Sequence, residues 1–145
     1  MKIKNLVVFA VFATLAVSIM CPFSSATTTD GVITKLNELK AMIGDVVKNY
    51  PTILTYNTPR QENALYNKID AVIKMVEGDY NYMGAIKKLE NDIAPKLNIC
   101  ETARARAQSW LSDDPELREV VEEFAGACQA KINDILTALQ RLMNN

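Results

Sequence analysis

Apolar residues recur at steps of three and four along most of this chain, the spacing that lines one face of an α-helix. After the polar lead-in Thr27, Thr28, Thr29 and Asp30, the residues Ile33, Leu36, Leu39, Ile43, Val46 and Val47 follow that spacing. They predict an amphipathic helix of about five turns, with Asp30 as its N-cap. Tyr50-Pro51 ends it, because the residue before a proline disfavours the α region. Residues 51–57, PTILTYN, read as a short extended connector with side chains suited to burial. Thr58-Pro59-Arg60-Gln61 then gives a strong helix start: a capping hydroxyl, proline in the first turn and glutamine at N3. Leu65, Ile69, Val72, Ile73 and Val76 form the stripe of this second helix. Gly78 is expected to stop it by taking the left-handed conformation.

Asp79 opens a third helix, as its cap, or the turn before it; the face of this helix is Tyr82, Ile86, Leu89 and Ile93, and its regular part ends at Pro95. Residues 99–111, with Ala103, Ala107 and Trp110, predict a shorter helix. Asp114 as cap and Pro115 at the first helical position start the last one. Its stripe runs through Leu117, Val121, Phe124, Cys128, Ile132, Ile135, Leu139 and Leu142. No segment alternates as a half-buried strand does, apart from the short Thr52–Tyr56 piece. Short connections favour antiparallel neighbours, so the expected fold is all-α: an antiparallel bundle of four main helices plus a short helix.

The N-terminus breaks the helical pattern. Lys2 and Lys4 precede an almost wholly apolar run, Leu6 to Met20, and then Cys-Pro-Phe-Ser-Ser-Ala. A short basic start, a short apolar core and small residues at Ser24 and Ala26 make a secretory signal peptide cut after Ala26. Too short to span a bilayer comfortably, the run is closed by Pro22. Cys21 admits a lipoprotein reading, but Met20 before it is not the small residue that lipidation needs. The expected organisation is residues 1–26 as a removed leader and 27–145 as one domain of 119 residues. Removing two lysines and no acids takes the net charge from −1 to −3. Cys100 and Cys128 then remain, and two cysteines in an exported chain predict one disulfide. It would contribute roughly 3.5 kcal/mol by restricting the unfolded chain. The pair lacks the spacing of a redox-active motif.

Residues 62–97, ENALYNKIDAVIKMVEGDYNYMGAIKKLENDIAPKL, read as a helical hairpin with Gly-Asp-Tyr at the turn. Tyr80 can lay its ring over the turn, and Ala85 lets the two helices approach. The unit occurs once, which excludes a solenoid of repeats. This stretch resembles the FIMAH-type helical domain of extracellular archaeal and bacterial proteins. Leu65, Lys68, Ile69, Asp70 and Ala71 match its first helix; Gly78, Tyr80, Ala85, Leu89 and Asn91-Asp92-Ile93 match its turn and second helix. The resemblance implies an exported accessory module without catalysis of its own, and it brings no active-site residue to this chain.

Composition narrows the chemistry. The 145 residues include 16 basic and 17 acidic side chains and no histidine. A balanced charge gives no basic footprint for nucleic acid. Without histidine the chain holds neither a Ser-His-Asp or Cys-His mechanism nor a His-ligated zinc site. Lys87, Lys88, Lys96, Arg104 and Arg106 are scattered over helix faces. Asp113, Asp114 and Glu116, followed by Glu119, Glu122 and Glu123, read as acids complementing a helix N-terminus. Asp113, Asp114 and Glu116 are the candidates for a carboxylate-only hydrolase, which would need two carboxylates facing each other in a cleft. They lack the alternating spacing and glycine of a calcium loop.

No cofactor, metal site or catalytic residue is expected. Tyrosine, with a wet hydroxyl and an apolar ring, suits both bundle ends and binding surfaces. Tyr56, Tyr80 and Tyr82, near the connector and the hairpin turn, are the candidate binding residues. The expected function is binding to a protein or cell-surface component at the cell surface or outside the cell, with the membrane involved only through the leader. A structural subunit of a surface layer or filament is the alternative, and it requires an exposed apolar patch.

Overall fold

Four threonine and aspartate residues precede the first apolar stripe, and the second threonine is the one that caps it. In the computed structural model, which describes residues 27–55, 58–99 and 108–145, helix α1 covers Thr29–Asn49. The Thr28 hydroxyl accepts from the Gly31 amide at 3.1 Å. Asp30, expected at that position, instead lies in the first turn, where its charge complements the helix dipole. Val32 joins Leu36, Leu39, Met42, Ile43, Val46 and Val47 on the buried face, while Ile33 is only partly covered.

The described residues are all-α. Helix α2 covers Thr58–Glu77, α3 covers Tyr82–Lys88 and α4 covers Arg118–Met143. The Pro115–Leu117 turn leads into α4, and the Asp114 carboxylate accepts from the Glu116 amide at 2.9 Å. This agrees with the predicted Asp114-Pro115 start. Cores of the predicted stripes are buried in α2 (Leu65, Ile69, Val72, Val76) and in α4 (Val121, Phe124, Cys128, Ile132, Ile135, Leu139).

After α3 the helix widens into a π turn at Leu89–Ile93 and tightens into a 3-10 turn at Ala94–Leu97. Proline at position 95 has no amide hydrogen, and its ring would collide with the carbonyl four residues back in a regular helix. The wider turn keeps Leu89, Ile93 and Leu97 all buried. On α4, the Gln129 amide nitrogen donates to the carbonyls of Ala94 at 3.1 Å and Leu97 at 3.3 Å, which the break would otherwise leave short of partners.

Helix α1 packs on α2 and α4, α2 on α3, and α3 on α4. Lys35 pairs with Asp134 and Lys131 with Glu38, so numbers rise along α1 as they fall along α4. Lys40 meets Asp70 at 2.7 Å, and Gly44 meets Tyr66, so α1 and α2 are antiparallel as well. These ion pairs lie at the surface, where each contributes little. The packed apolar faces supply most of the stability.

The far end of α1 is closed by the connector. Ile53 and Leu54 are buried, Leu54 bridges Leu111 in antiparallel fashion, and the Thr55 amide donates to the Trp110 carbonyl at 2.9 Å. The Ser112 amide returns a bond to Ile53 at 2.8 Å, and Lys96 sits 5.2 Å over the Trp110 ring. The helix expected over residues 99–111 therefore does not reach Leu111. Its last residues are extended, because their backbone groups pair with the connector rather than with a preceding turn.

The expected Cys100–Cys128 disulfide is not present. Cys128 is a free thiol, fully buried on α4, and Cys100 lies outside the described residues. A buried thiol packs as a small apolar group, and burial pushes the Cys128 thiol well above its ordinary pKa. Thiolate is the reactive form. Peptide mapping after iodoacetamide treatment should therefore find Cys128 unmodified in the native protein and modified once denaturant is added. Rapid native labelling would contradict this burial. The leader at residues 1–26, with its Cys21 and its cut after Ala26, also falls outside the described residues, as do Tyr56 and the middle of the 99–111 run.

Candidate functional site

The turn between α2 and α3 differs from its expected form. Helix α2 closes with the Gly78 amide donating to Lys74 at 3.0 Å, and the Asn81 amide reaches back to the Met75 carbonyl at 2.8 Å. Gly78 does not adopt positive φ; Tyr80 does, with φ 48°, and it is alone in this among the described non-glycine residues. The reversal comes two residues after the glycine, so its strained position falls on an aromatic residue. A left-handed conformation at such a residue costs on the order of 1–3 kcal/mol. Asn81, not Asp79, caps α3: its side-chain oxygen accepts from the Gly84 amide at 2.9 Å. A Cβ at position 84 would lie 2.5 Å from the Asn81 amide nitrogen, so only glycine allows this close approach.

This turn forms one wall of a shallow surface groove of ≈ 330 Å³. Tyr80, Asn81, Tyr82 and Met83 line it on one side, Leu142 and Met143 at the end of α4 on the other. Tyr80 is 66% exposed, Met83 49% and Met143 43%. Of the large apolar side chains left exposed among the described residues, only Ile99 lies elsewhere. The Tyr80 and Tyr82 rings meet edge to face, 6.4 Å apart at 76°. Such pairs are favoured by the ring quadrupoles. The Tyr82 hydroxyl lies 3.3 Å from that of Thr29, which ties the start of α1 to the groove.

Of the expected binding residues Tyr56, Tyr80 and Tyr82, the last two lie side by side on this groove, and Tyr56 lies outside the described residues. Met83, Leu142 and Met143 were missed as part of it. For Met83 a signal existed: it falls off the Ile86–Leu89–Ile93 stripe and has no helix to face. The other tyrosines have different surroundings. Tyr66 lies between α1 and α2, and Tyr50 ends α1 at the opposite end of that helix.

The acids do not converge on this groove. Asp113, Asp114 and Glu116 are exposed at the start of α4, and one Asp114 oxygen is engaged as the cap. No enclosed pair is formed by them. Among the described residues there is no group of three or more cysteine, aspartate or glutamate side chains able to hold a metal ion. No described helix is long and apolar enough to cross a membrane. The groove therefore offers aromatic and thioether surface, suited to contact. Among known proteins, no family model, no curated protein and no solved structure matches the chain.

Proposed function

We propose that this protein is an exported, non-catalytic interaction module acting at the cell surface or outside the cell. In this reading the leader at residues 1–26 is removed, and residues 27–145 work as one antiparallel helical bundle. The Tyr80–Tyr82–Met83–Met143 end is the surface it presents to a protein or cell-surface component. One observation carries the proposal: Tyr80 combines a strained backbone with a side chain left in solvent. Its ring touches Tyr82 edge to face, yet the residue is left mostly in solvent, and the backbone argues against a bulky side chain there. Strain and exposure together are the mark of a residue kept for contact. The resemblance of residues 62–97 to FIMAH-type domains supports the same reading, since Tyr80 lies at the turn of that hairpin.

A photo-crosslinking amino acid at position 80, in cells that make the protein, is expected to trap a specific partner. The same probe at position 110, at the other end of α1, is expected to trap none. Equal yields from the two positions would overturn the proposal. The surface-subunit alternative uses the same patch but predicts that the trapped species is a second copy. In that case sedimentation would show association that Tyr80→Ser with Met83→Ser abolishes.

A further inference from the structure

We infer that the corner between the Tyr80 and Tyr82 rings seats a trimethylated lysine side chain of a partner protein. The inference rests on the contact-surface reading above and names the chemistry that surface takes.

Ring geometry comes first. The two rings meet at 76° with their centroids 6.4 Å apart, so they form a corner and not a stack. The face of an aromatic ring is the negative side of its quadrupole. A cation within about 6 Å of the ring centre is drawn to that face, and a corner offers two faces to one cation. Elsewhere in the fold this attraction is already satisfied from within: Lys40 lies 5.4 Å over Tyr66, and Lys96 lies 5.2 Å over Trp110. Among the described residues no lysine or arginine lies over Tyr80 or Tyr82, and no charged side chain lines the groove. Tyr80 is left mostly in solvent.

The lining decides which cation fits. Lysine and arginine carry N–H donors, and donors taken out of water need acceptors. The groove has no carboxylate to supply them. The Asn81 side-chain oxygen already accepts from the Gly84 amide, and the Tyr82 hydroxyl lies 3.3 Å from that of Thr29. A trimethylammonium head keeps the charge and has no N–H to satisfy. Its methyl groups suit the adaptable thioethers of Met83 and Met143.

The charges around the groove agree. Glu77 and Asp79 lead into Tyr80, and Asp30 follows Thr29. All three are exposed, and none is in an ion pair among the described residues. Lys74 and Arg141, in the last turns of α2 and α4, leave the acids in excess. At ≈ 330 Å³ the shallow groove takes the head of a ligand and little more. Further contact must come from the chain that bears the head, which favours a side chain on a protein over a free ammonium compound.

The test uses the protein purified from cells that make it and a short glycine-flanked peptide carrying one trimethyllysine. Two comparison peptides carry unmodified lysine or a neutral tert-butyl head of the same shape. Nuclear magnetic resonance follows the trimethyl proton signal, which ring currents move upfield when it sits over aromatic faces. The expected result is a saturable upfield shift, with binding about fivefold or more tighter than for either comparison peptide. Tyr80→Leu should abolish the shift, and Tyr80→Phe, which keeps the ring, should retain it, with circular dichroism of both variants matching the native protein. Equal binding of the tert-butyl peptide would overturn the cation and leave an apolar contact surface. Equal binding of the lysine peptide, or a shift that survives Tyr80→Leu, would overturn the inference as well. Tetramethylammonium binding as tightly as the peptide would assign the corner to a free ligand and overturn the protein partner. If no peptide binds, the inference fails, and crosslinking from position 80 still decides separately whether this end is a contact surface.

Discussion

Phe124→Ala is expected to cost about 3–5 kcal/mol of folding stability, the range for truncating a buried aromatic side chain. Phe124 is only 1% exposed and is the largest fully buried side chain among the described residues. Its place in the fold makes collapse of the resulting cavity difficult. The register that pairs Lys35 with Asp134 and Glu38 with Lys131 sets it level with Asp45 and Val46 of α1. The connector residues Ile53 and Leu54 belong to the same buried core. Domains of this size have only about 5–15 kcal/mol in total, so the variant should be marginal and its melting point lower by roughly 15 °C or more. Urea unfolding followed by circular dichroism measures the loss. Met83→Ala at the groove should stay within about ±0.5 kcal/mol, because the side chain is half in solvent. A loss below about 1 kcal/mol for Phe124→Ala would show that α4 does not seat this ring as described.

That contrast between stripe and patch also separates what the sequence revealed from what it hid. The stripes were legible because burial imposes a period: Leu36, Leu39 and Ile43 on α1, or Ile132, Ile135 and Leu139 on α4, can share a face in no other regular structure. The caps were legible only as neighbourhoods. Thr28 and Asp30 both offer an oxygen before the first stripe, and Asp79 and Asn81 both offer one before α3. Which one caps depends on where the chain enters the helix, and that is set by packing.

Features that depend on distant partners were not legible. The 3-10 turn at Ala94–Leu97, which follows the π turn, is completed by Gln129, 32 to 35 residues away from the carbonyls it meets. The extended residues 110–112 take their shape from the connector, more than 50 residues earlier. Tyr80 is the instructive case. Local energetics favours Gly78 as the left-handed residue, and the chain places the strain on an exposed tyrosine instead. Rules of local preference break down most often where a residue is kept for function. The candidate site is therefore marked by the place where the local reading failed.

A second large effect should appear where α1 and α2 approach most closely. A Cβ at Gly44 would lie 2.5 Å from the Tyr66 hydroxyl oxygen, a separation that forces something to move. Tyr66 is not free to yield: its hydroxyl donates to Glu62 at 2.7 Å, and Lys40 sits 5.4 Å from its ring centre. Gly44→Ala should therefore destabilise the protein, because overpacking at about 1–3 kcal/mol outweighs the roughly 1 kcal/mol that alanine gains in a helix. Tyr66→Phe alone should cost about 1 kcal/mol for the lost hydrogen bond. In combination the sign reverses. Without the hydroxyl, the nearest ring carbon lies at an ordinary 3.8 Å, so Gly44→Ala in the Tyr66→Phe background should stabilise. The four proteins form a double-mutant cycle with an expected coupling of about 1–3 kcal/mol, and additivity within about 0.5 kcal/mol would refute the close approach.

The same pair sets an alkaline limit. Burial first, then the Glu62 carboxylate, raises the Tyr66 phenol above its ordinary 10.0. Because its folded pKa is higher than its unfolded one, its contribution is complete below about pH 10 and is lost as the pH climbs toward the folded value. Unfolding curves taken on either side of pH 10 should show that loss in the native protein, and a smaller one in Tyr66→Phe. An equal loss in both would place the alkaline sensitivity elsewhere, on groups such as Tyr50, whose phenol is also raised by burial.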